Sequence, residues 1–255
     1  MLLYFSCPKS FQLSQVREVA LSDTQKPPDT LAEAFAQASS LRSDLNQKLA
    51  TYFAQSKRLR PDIAAAYDRM VGRLDALDGD KIGPAIGDQM PDFLMPDQFG
   101  QLISLESLLS SGPVVISVNR GHWCPYCKLD LRALALIAPD IRQMGAQLVS
   151  IMPERAQFTK AAIADNDFPF PILSDVDLGY ALSLGLICWV GAEVRTLYAK
   201  MGLHLERFQG NKNYFLPIAA KFIVGRDGVV KAREVNVDFR QRMEPKKILE
   251  ALEHL

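Results

Sequence analysis

Two cysteines, Cys124 and Cys127, stand three residues apart in the segment GHWCPYC at residues 121–127. A predicted strand runs up to this segment, and Pro125 suits the first position of a helix. Cys124 is therefore predicted at the helix N-terminus, where free backbone amides and the helix dipole favour a thiolate. Cys127 follows one turn later, on the same face and in a more sheltered place. This arrangement predicts a redox pair in which an exposed Cys124 attacks and Cys127 closes a disulfide with it.

Two other interpretations of the pair are half of a zinc site and two inert core thiols. A zinc site usually needs four ligands, and the chain has no second Cys-x-x-Cys segment. Its three histidines, His122, His204 and His254, are scattered. Four cysteines are also too few for a disulfide scaffold in a chain of 255 residues. The pair is accordingly predicted to do redox chemistry without a metal.

The residues directly before Cys124 are candidates for a supporting role. Arg120 either pairs with the thiolate or is an ordinary surface charge. His122 is either a proton donor or, as is more common, a solvent-facing loop histidine. Trp123 either shields the thiol or has a plain packing role.

Five residues elsewhere receive structural interpretations. Cys188 is predicted to be a packed core thiol, with a role as an alternative resolving thiol left open. Asp238, Arg240 and Arg242 are predicted to cap the terminal helix and pair at the surface rather than act in catalysis. Cys7 is interpreted as incidental.

From residue 113 onward the chain alternates between strand and helix patterns. The predicted strands are residues 113–118, 146–152, 219–225 and 229–235, the last two joined by a turn at Asp227-Gly228. The predicted helices run from Pro125 to about Ala138, from Arg155 to Asn166, over residues 176–184, and from Pro245 to the C-terminus. A βαβ unit followed by a hairpin and a terminal helix predicts an α/β protein with a thioredoxin-like fold, a mixed central sheet flanked by helices.

Residues 1–80 have a different pattern and are predicted to be an N-terminal helical extension of a main domain at residues 81–255. Apolar residues recur at three- and four-residue spacing from Leu31 to Phe53. Pro61 ends that helix or opens the next, so the simplest structure is a helical hairpin. Its apolar stripe must dock on the main domain or on a second subunit, which makes a homodimer the alternative.

The overall composition is that of a soluble globular protein. Hydrophobic residues make up 48% of the chain and charged residues 23%, and the formal net charge is zero. A neutral chain has no electrostatic basis for binding nucleic acid or an anionic membrane. No apolar run approaches the roughly 18 residues of a membrane span, and the N-terminus lacks the features of a secretory signal. We therefore predict a cytoplasmic protein without nucleic-acid or membrane partners.

Several segments resemble one protein family in order and at matching spacing. They are IGDQMPDFLMPDQFGQLISLESLL at residues 86–109, the strand and cysteine region at 112–134, GAQLVSIMPE at 145–154, FPFPILSD at 168–175, and residues 216–245. Together they span about two thirds of the chain. On these segments the chain resembles the peroxiredoxin-like branch of the alkyl hydroperoxide reductase and thiol-specific antioxidant family, within the thioredoxin-like superfamily.

This resemblance implies a thiol peroxidase. In the family, a peroxidatic thiolate attacks the O–O bond of hydrogen peroxide or an alkyl hydroperoxide and becomes a sulfenic acid, which a second thiol resolves. Carried onto this chain, the resemblance makes Cys124 peroxidatic and Cys127 resolving. It also implies that no cofactor is needed and that a thioredoxin- or glutathione-type reductant restores the enzyme.

The chain departs from the family pattern near the thiol. Family members usually have a proline seven residues and a threonine or serine three residues before the peroxidatic cysteine, where this chain has Ser117 and Gly121. Ala219 stands where many relatives have a cis-proline or an arginine, with Pro217 two residues earlier. These differences leave two alternatives open: a thioredoxin-type disulfide oxidoreductase, and a non-catalytic redox-sensing or partner-binding protein.

Overall fold

The computed structural model describes residues 26–74 and 82–255. Cys7 and the domain boundary predicted near residue 80 lie outside these ranges, so both interpretations stay predictions. The described residues form a mixed α/β fold in which helices cover both faces of a central sheet. The predicted α/β class and the leading helices are therefore confirmed.

Ten α-helices lie in the described part of the chain, and the first three of them precede all of the strands. In chain order they are α1 (Leu31–Ser40), α2 (Leu45–Leu59), α3 (Pro61–Leu74), α4 (Leu105–Ser111), α5 (Pro125–Gln143), α6 (Ala156–Asn166), α7 (Gly179–Ser183), α8 (Gly191–Lys200), α9 (Leu205–Gln209) and α10 (Pro245–Glu253). A short 3₁₀ helix, Val176–Leu178, precedes α7. None of these described helices is long and apolar enough to cross a bilayer.

The strands include each of those predicted from the sequence, with ends that agree within one residue. In chain order they are β1 (Leu94–Pro96), β2 (Leu102–Ser104), β3 (Val114–Val118), β4 (Gln147–Met152), β5 (Ile172–Ser174), β6 (Ile187–Trp189), β7 (Phe215–Pro217), β8 (Ala220–Val224) and β9 (Val230–Val235). The central sheet has the order β5-β4-β3-β8-β9. Strands β3, β4 and β5 are parallel, and β8 is antiparallel to both β3 and β9.

Side-chain alternation along β3 divides the core into two clusters. Val114, Ile116 and Val118 belong to the cluster that the N-terminal helices also enter. Val115 belongs to the opposite cluster, which contains residues of α5, α6 and α10. All five residues of β3 are buried, as a central strand covered on both faces requires.

The N-terminal region contains three helices rather than the predicted hairpin. Helix α1 ends at Ser40, and Asp44 begins α2 by accepting a hydrogen bond from the Gln47 backbone N–H at 2.8 Å. Most of the residues between the two helices are polar. Serine and aspartate side chains compete for backbone hydrogen bonds, so a single continuous helix is not favoured there. Pro61 opens α3, which is one of the two roles predicted for it.

These three helices pack on the main domain of their own chain. The Glu244 carboxylate, just before α10, accepts hydrogen bonds from the Leu45 and Asn46 backbone N–H groups at 3.0 and 2.7 Å. It therefore caps α2, where a negative charge is favourable. Tyr52 of α2 packs edge-on against Tyr126 of α5, with ring centroids 5.2 Å apart. The apolar stripe is used within the chain, and a homodimer stays a prediction.

Helix α5 continues to Gln143, beyond the predicted end near Ala138, with Pro139 inside it. Proline lacks the backbone N–H that would continue the helical hydrogen bonds. Ala138 and Ile141, on either side of the proline, are both buried in the core. Packing against the sheet therefore carries this helix through a residue that would end an isolated one.

Candidate active site

The cysteine pair lies where strand β3 ends and helix α5 begins. Asn119 anchors the end of the strand, because its buried amide donates hydrogen bonds to the hydroxyls of Ser117 at 2.9 Å and Ser150 at 3.2 Å. Cys124 is the N-cap residue of α5, with an extended backbone, and Pro125 takes the first helical position. The local geometry predicted from the Cys-Pro dipeptide is present.

Cys124 is buried, which differs from the predicted exposure. Only 2% of its surface is accessible, and Cys127 is fully enclosed. The difference arises because the N-terminal helices cover this end of α5. A cavity of about 410 Å³ borders Cys124 between those helices and α5.

The two thiols differ in their acidity. Burial by itself raises the pKa of Cys124, because a thiolate loses hydration in the interior. The thiol and backbone N–H of Cys127, together with the charges of Arg120 and Arg242, outweigh burial and lower the pKa of Cys124 to about 6. Burial raises the pKa of Cys127 well above its ordinary value, and the neighbouring Cys124 raises it further. These opposite shifts favour a thiolate on Cys124 and a thiol on Cys127.

Arg120 is enclosed beside the pair and is not a surface charge. It is 1% exposed, its guanidinium lies 3.7 Å from the centroid of the Phe239 ring, and its Nη2 donates to the Tyr198 hydroxyl at 3.1 Å. Within the described part of the chain, no carboxylate forms an ion pair with it. A buried cation needs a negative partner, and the Cys124 thiolate is the group whose charge it stabilises.

A buried cluster of three charged residues, Asp130, Lys221 and Arg242, lies behind Cys127. Arg242 Nη2 is 3.6 Å from Cys127 Sγ, and Arg242 Nε is 3.7 Å from the Asp130 carboxylate. The same carboxylate accepts a hydrogen bond from Lys221 Nζ at 2.5 Å. Each of these charged residues is at most 5% exposed.

The surface role predicted for Arg242 is therefore wrong. The loop after β9 folds inward, and the arginine it carries lies against Cys127. Arg240 and Asp238 in the same loop do form an ion pair, at 2.7 Å. The sequence held one signal for the cluster: Lys221 interrupts the apolar run AAKFIV, and a lysine within a buried strand needs an anionic partner.

The packing of Trp123 leaves no room for a side chain at position 121. Gly121 has φ +144°, and a Cβ on it would lie 2.4 Å from Trp123 Nε1 and 2.9 Å from Glu154 Oε1. Trp123 in turn lines the cavity beside Cys124. The indole thus occupies the space around position 121, and a threonine there would collide with it.

His122 faces a buried carboxylate rather than solvent. Its Nδ1 lies 2.9 Å from Glu154 Oε2, and its backbone N–H donates to the same oxygen at 3.0 Å. Glu154 is fully buried, and the imidazole also contacts the ring of Phe208. The histidine does not line the cavity, so its contacts favour a role in shaping the loop before Cys124.

The remaining singled-out positions lie around the pair. Ala219 is buried beside β8, and the peptide bond before Pro217 is trans. Many relatives have a cis-proline or an arginine at the position of Ala219. In this chain the positive charges near the pair are Arg120, in the loop after β3, and Arg242, in the loop after β9. Cys188 is 7% exposed, and burial raises its pKa, as expected for a packed thiol. None of the three described cysteines forms a disulfide in this structure.

The low pKa of Cys124 predicts how its alkylation depends on pH. The rate of modification by iodoacetamide is expected to reach half of its maximum near pH 6, because the thiolate is the reactive form. Replacing Arg120 by methionine is expected to raise this midpoint by roughly one to three pH units, the usual effect of an adjacent opposite charge. Mass spectrometry of the alkylated peptide measures the rate. An unchanged midpoint in Arg120→Met, or a lower midpoint in Arg120→Lys than in the parent, would contradict the assignment of Arg120 as the residue that stabilises the Cys124 thiolate.

A family model matches residues 86–233, and its description is the AhpC/TSA family. A Mycobacterium tuberculosis protein described as a candidate peroxiredoxin is 32% identical over 102 residues, which cover 39% of this chain and 65% of that protein. The thiol-disulfide oxidoreductase ResA of Bacillus cereus is 25% identical over 97 residues, which cover 38% of this chain and 55% of that protein. The chain thus spans less than two thirds of the length of these curated relatives.

Solved structures share the fold. The peroxidoxin BcpB of Mycobacterium tuberculosis matches with a TM-score of 0.52 and 22% identity, over 67% of this chain and 97% of that one. A peroxiredoxin 6 variant of Arenicola marina matches with a TM-score of 0.54 and 18% identity, over 67% of this chain and 73% of that one. The predicted thioredoxin-like fold of the main domain is confirmed.

Proposed function

Because the chain belongs to the AhpC/TSA family, we propose that it is a thiol-dependent peroxidase that reduces hydrogen peroxide or alkyl hydroperoxides through Cys124. The observation that carries this proposal is the placement of the pair. Cys124 is the N-cap residue of α5, borders a cavity and lies near the buried Arg120, which lowers the pKa of its thiol, and Cys127 is enclosed one turn later. A thiolate is the nucleophile that peroxide chemistry needs.

In the first step, the Cys124 thiolate attacks the terminal oxygen of the hydroperoxide. A sulfur–oxygen bond forms as the O–O bond breaks, and the departing alkoxide takes up a proton to leave as an alcohol, or as water from hydrogen peroxide. Cys124 is now a sulfenic acid. The charge of Arg120 favours this step because it stabilises the attacking form of the sulfur.

In the second step, Cys127 attacks the sulfur of the sulfenic acid, and water leaves as the disulfide forms. The negative charge on Cys124 has then gone, and with it one of the causes that raise the pKa of Cys127. Arg242, 3.6 Å from Cys127 Sγ, still lowers that pKa. Oxidation of the first cysteine thus prepares the second to react. A thioredoxin- or glutathione-type dithiol or thiol restores the pair by exchange.

The test is peptide mapping after a single oxidation. One equivalent of hydroperoxide added to the reduced protein is expected to give a Cys124–Cys127 disulfide, with the loss of two thiols and of one peroxide per chain. A disulfide between Cys124 and Cys188 would show that Cys188 is the resolving thiol. Thiols that survive the peroxide would contradict the peroxidase proposal.

A thioredoxin-type disulfide oxidoreductase is the second candidate. The Cys-Pro-Tyr-Cys spacing favours it, as does the similarity to a protein named as a thiol-disulfide oxidoreductase. Reduction of insulin disulfides without peroxide consumption would support this alternative. A response in neither assay would favour the redox-sensing or partner-binding interpretation. A cytoplasmic location stays a prediction.

A further inference from the structure

The cavity beside Cys124 is walled mainly by apolar and aromatic side chains. Phe35 of α1 and Phe53 of α2 line it opposite Trp123, and Leu203 lines it from the segment after α8. Lys128, on α5, is its one cationic lining residue in the described chain. A volume of about 410 Å³ lies in the range of pockets that enclose a whole organic ligand.

More than half of the residues that line this cavity come from α1, α2 and α3. Those helices precede residues 86–233, the part of the chain that matches the family model. Cys124 and Arg120 thus lie within the matched segment, while slightly more than half of the surrounding wall lies before it. These helices are joined to the main domain by contacts on α2: Tyr52 packs on Tyr126, and Glu244 accepts hydrogen bonds from the first backbone N–H groups of the helix.

Hydrogen peroxide makes little use of such a cavity. A water molecule occupies about 30 Å³, so a molecule of similar size leaves most of the space unfilled. It also gains nothing from apolar walls, which instead favour the transfer of apolar surface out of water. An organic hydroperoxide with a large hydrocarbon body fills the cavity and gains from that burial.

We propose that the N-terminal helices turn the Cys124 site into a binding pocket for hydroperoxides with a bulky apolar body, of the aryl or fatty-acyl class. The proposal rests on the peroxidase function proposed for Cys124. In this arrangement the hydrocarbon body lies among the side chains of α1, α2 and α3. The hydroperoxide end meets the sulfur at the start of α5.

Two alanines of α1 provide a matched test. Ala32 and Ala36 lie one turn apart and are both exposed, but only Ala32 lines the cavity. A phenylalanine at position 32 reduces the space for a large substrate, whereas a phenylalanine at position 36 does not enter it. Because both positions are exposed, neither variant places a large group in the core.

The measurement is kcat/KM for cumene hydroperoxide and for hydrogen peroxide, with a dithiol as reductant. The parent is expected to prefer cumene hydroperoxide, and Ala32→Phe is expected to lower the ratio of the two values about tenfold, since small changes in an apolar pocket alter discrimination by at least that factor. Ala36→Phe is expected to keep the ratio of the parent. A parent that prefers hydrogen peroxide, or equal ratios in the two variants, would overturn the pocket proposal and leave the peroxidase proposal standing.

A second readout needs no turnover. The alcohol product 2-phenyl-2-propanol is expected to slow the alkylation of Cys124 in the parent and in Ala36→Phe, and to protect Ala32→Phe less. Equal alkylation rates with and without the alcohol in the parent would overturn the pocket proposal. Failure of the parent to consume either peroxide would instead be a failure of the proposed function.

Discussion

Replacement of Cys124 by serine is expected to reduce peroxide consumption in the presence of a dithiol to the rate seen without protein. Serine has nearly the same size, so the packing at the start of α5 is kept. Its hydroxyl stays protonated at neutral pH, whereas the pKa of the Cys124 thiol is about 6. The nucleophile is therefore lost while Arg120 and the cavity remain. Peroxide consumption that persists in Cys124→Ser would contradict the peroxidase proposal.

Replacement of Cys127 by serine separates the two chemical steps. The first peroxide is still expected to be consumed, because Arg120 and the backbone N–H of residue 127 still lower the pKa of Cys124, but more slowly than in the parent, because the Cys127 thiol that also lowers it is replaced. The protein is then expected to stop with one oxygen added on Cys124, since no neighbouring thiol can form the disulfide. Stopped-flow measurement of the first turnover and intact mass distinguish the two steps.

The control for both variants is Cys188→Ala, which removes the remaining described cysteine. Cys188 is packed in the core at strand β6, and the proposed mechanism does not use it. Peroxide consumption in Cys188→Ala is expected to match the parent. A stalled second step in this variant, with normal turnover in Cys127→Ser, would transfer the resolving role to Cys188.

Replacement of Asp130 by asparagine is expected to lower the free energy of unfolding by about 3–5 kcal/mol, the usual cost of breaking a buried ion pair. The substitution keeps the shape of the side chain but removes its charge. Lys221 and Arg242 are then two buried cations without their common anion. Urea unfolding at neutral pH measures the difference.

The double variant Asp130→Asn, Lys221→Met is expected to regain part of this loss, because it removes one of the uncompensated cations. Glu250→Gln is the matched control, since Glu250 pairs with Lys246 on the exposed face of α10. Breaking an exposed pair of this kind costs about 0.5 kcal/mol or less. Equal changes in the free energy of unfolding for Asp130→Asn and Glu250→Gln would show that the buried cluster stabilises the fold no more than an exposed ion pair does.

Both arginines lower the pKa of both cysteines, but they do not contribute equally. Arg120 lowers the pKa of Cys124 more than Arg242 does, whereas Arg242 lowers the pKa of Cys127 more than Arg120 does. A change at Arg120 is therefore expected to affect the first step most, and a change at Arg242 the second.

Much of the fold followed from local patterns in the sequence. The β-branched run at residues 113–118 predicts a central strand, and the alternating segments around Asp227-Gly228 predict a hairpin, because strand period and turn chemistry are local properties. The helix start at Cys124 also followed from the position of Pro125, because proline suits the first turn of a helix. Helix ends were less predictable: α5 passes Pro139 because Ala138 before it and Ile141 after it are both buried in the core.

The sequence by itself determined the pair of cysteines, their separation by one helical turn and their place at a helix N-terminus. Only the tertiary structure decided that Cys124 is buried, that Arg242 lies against Cys127, and that Trp123 occupies the space beside Gly121. The physical reason is distance along the chain. Burial of Cys124 comes from helices that precede it by at least 50 residues, and the arginine against Cys127 comes from a loop more than 100 residues after it. No local pattern records which distant segments will meet.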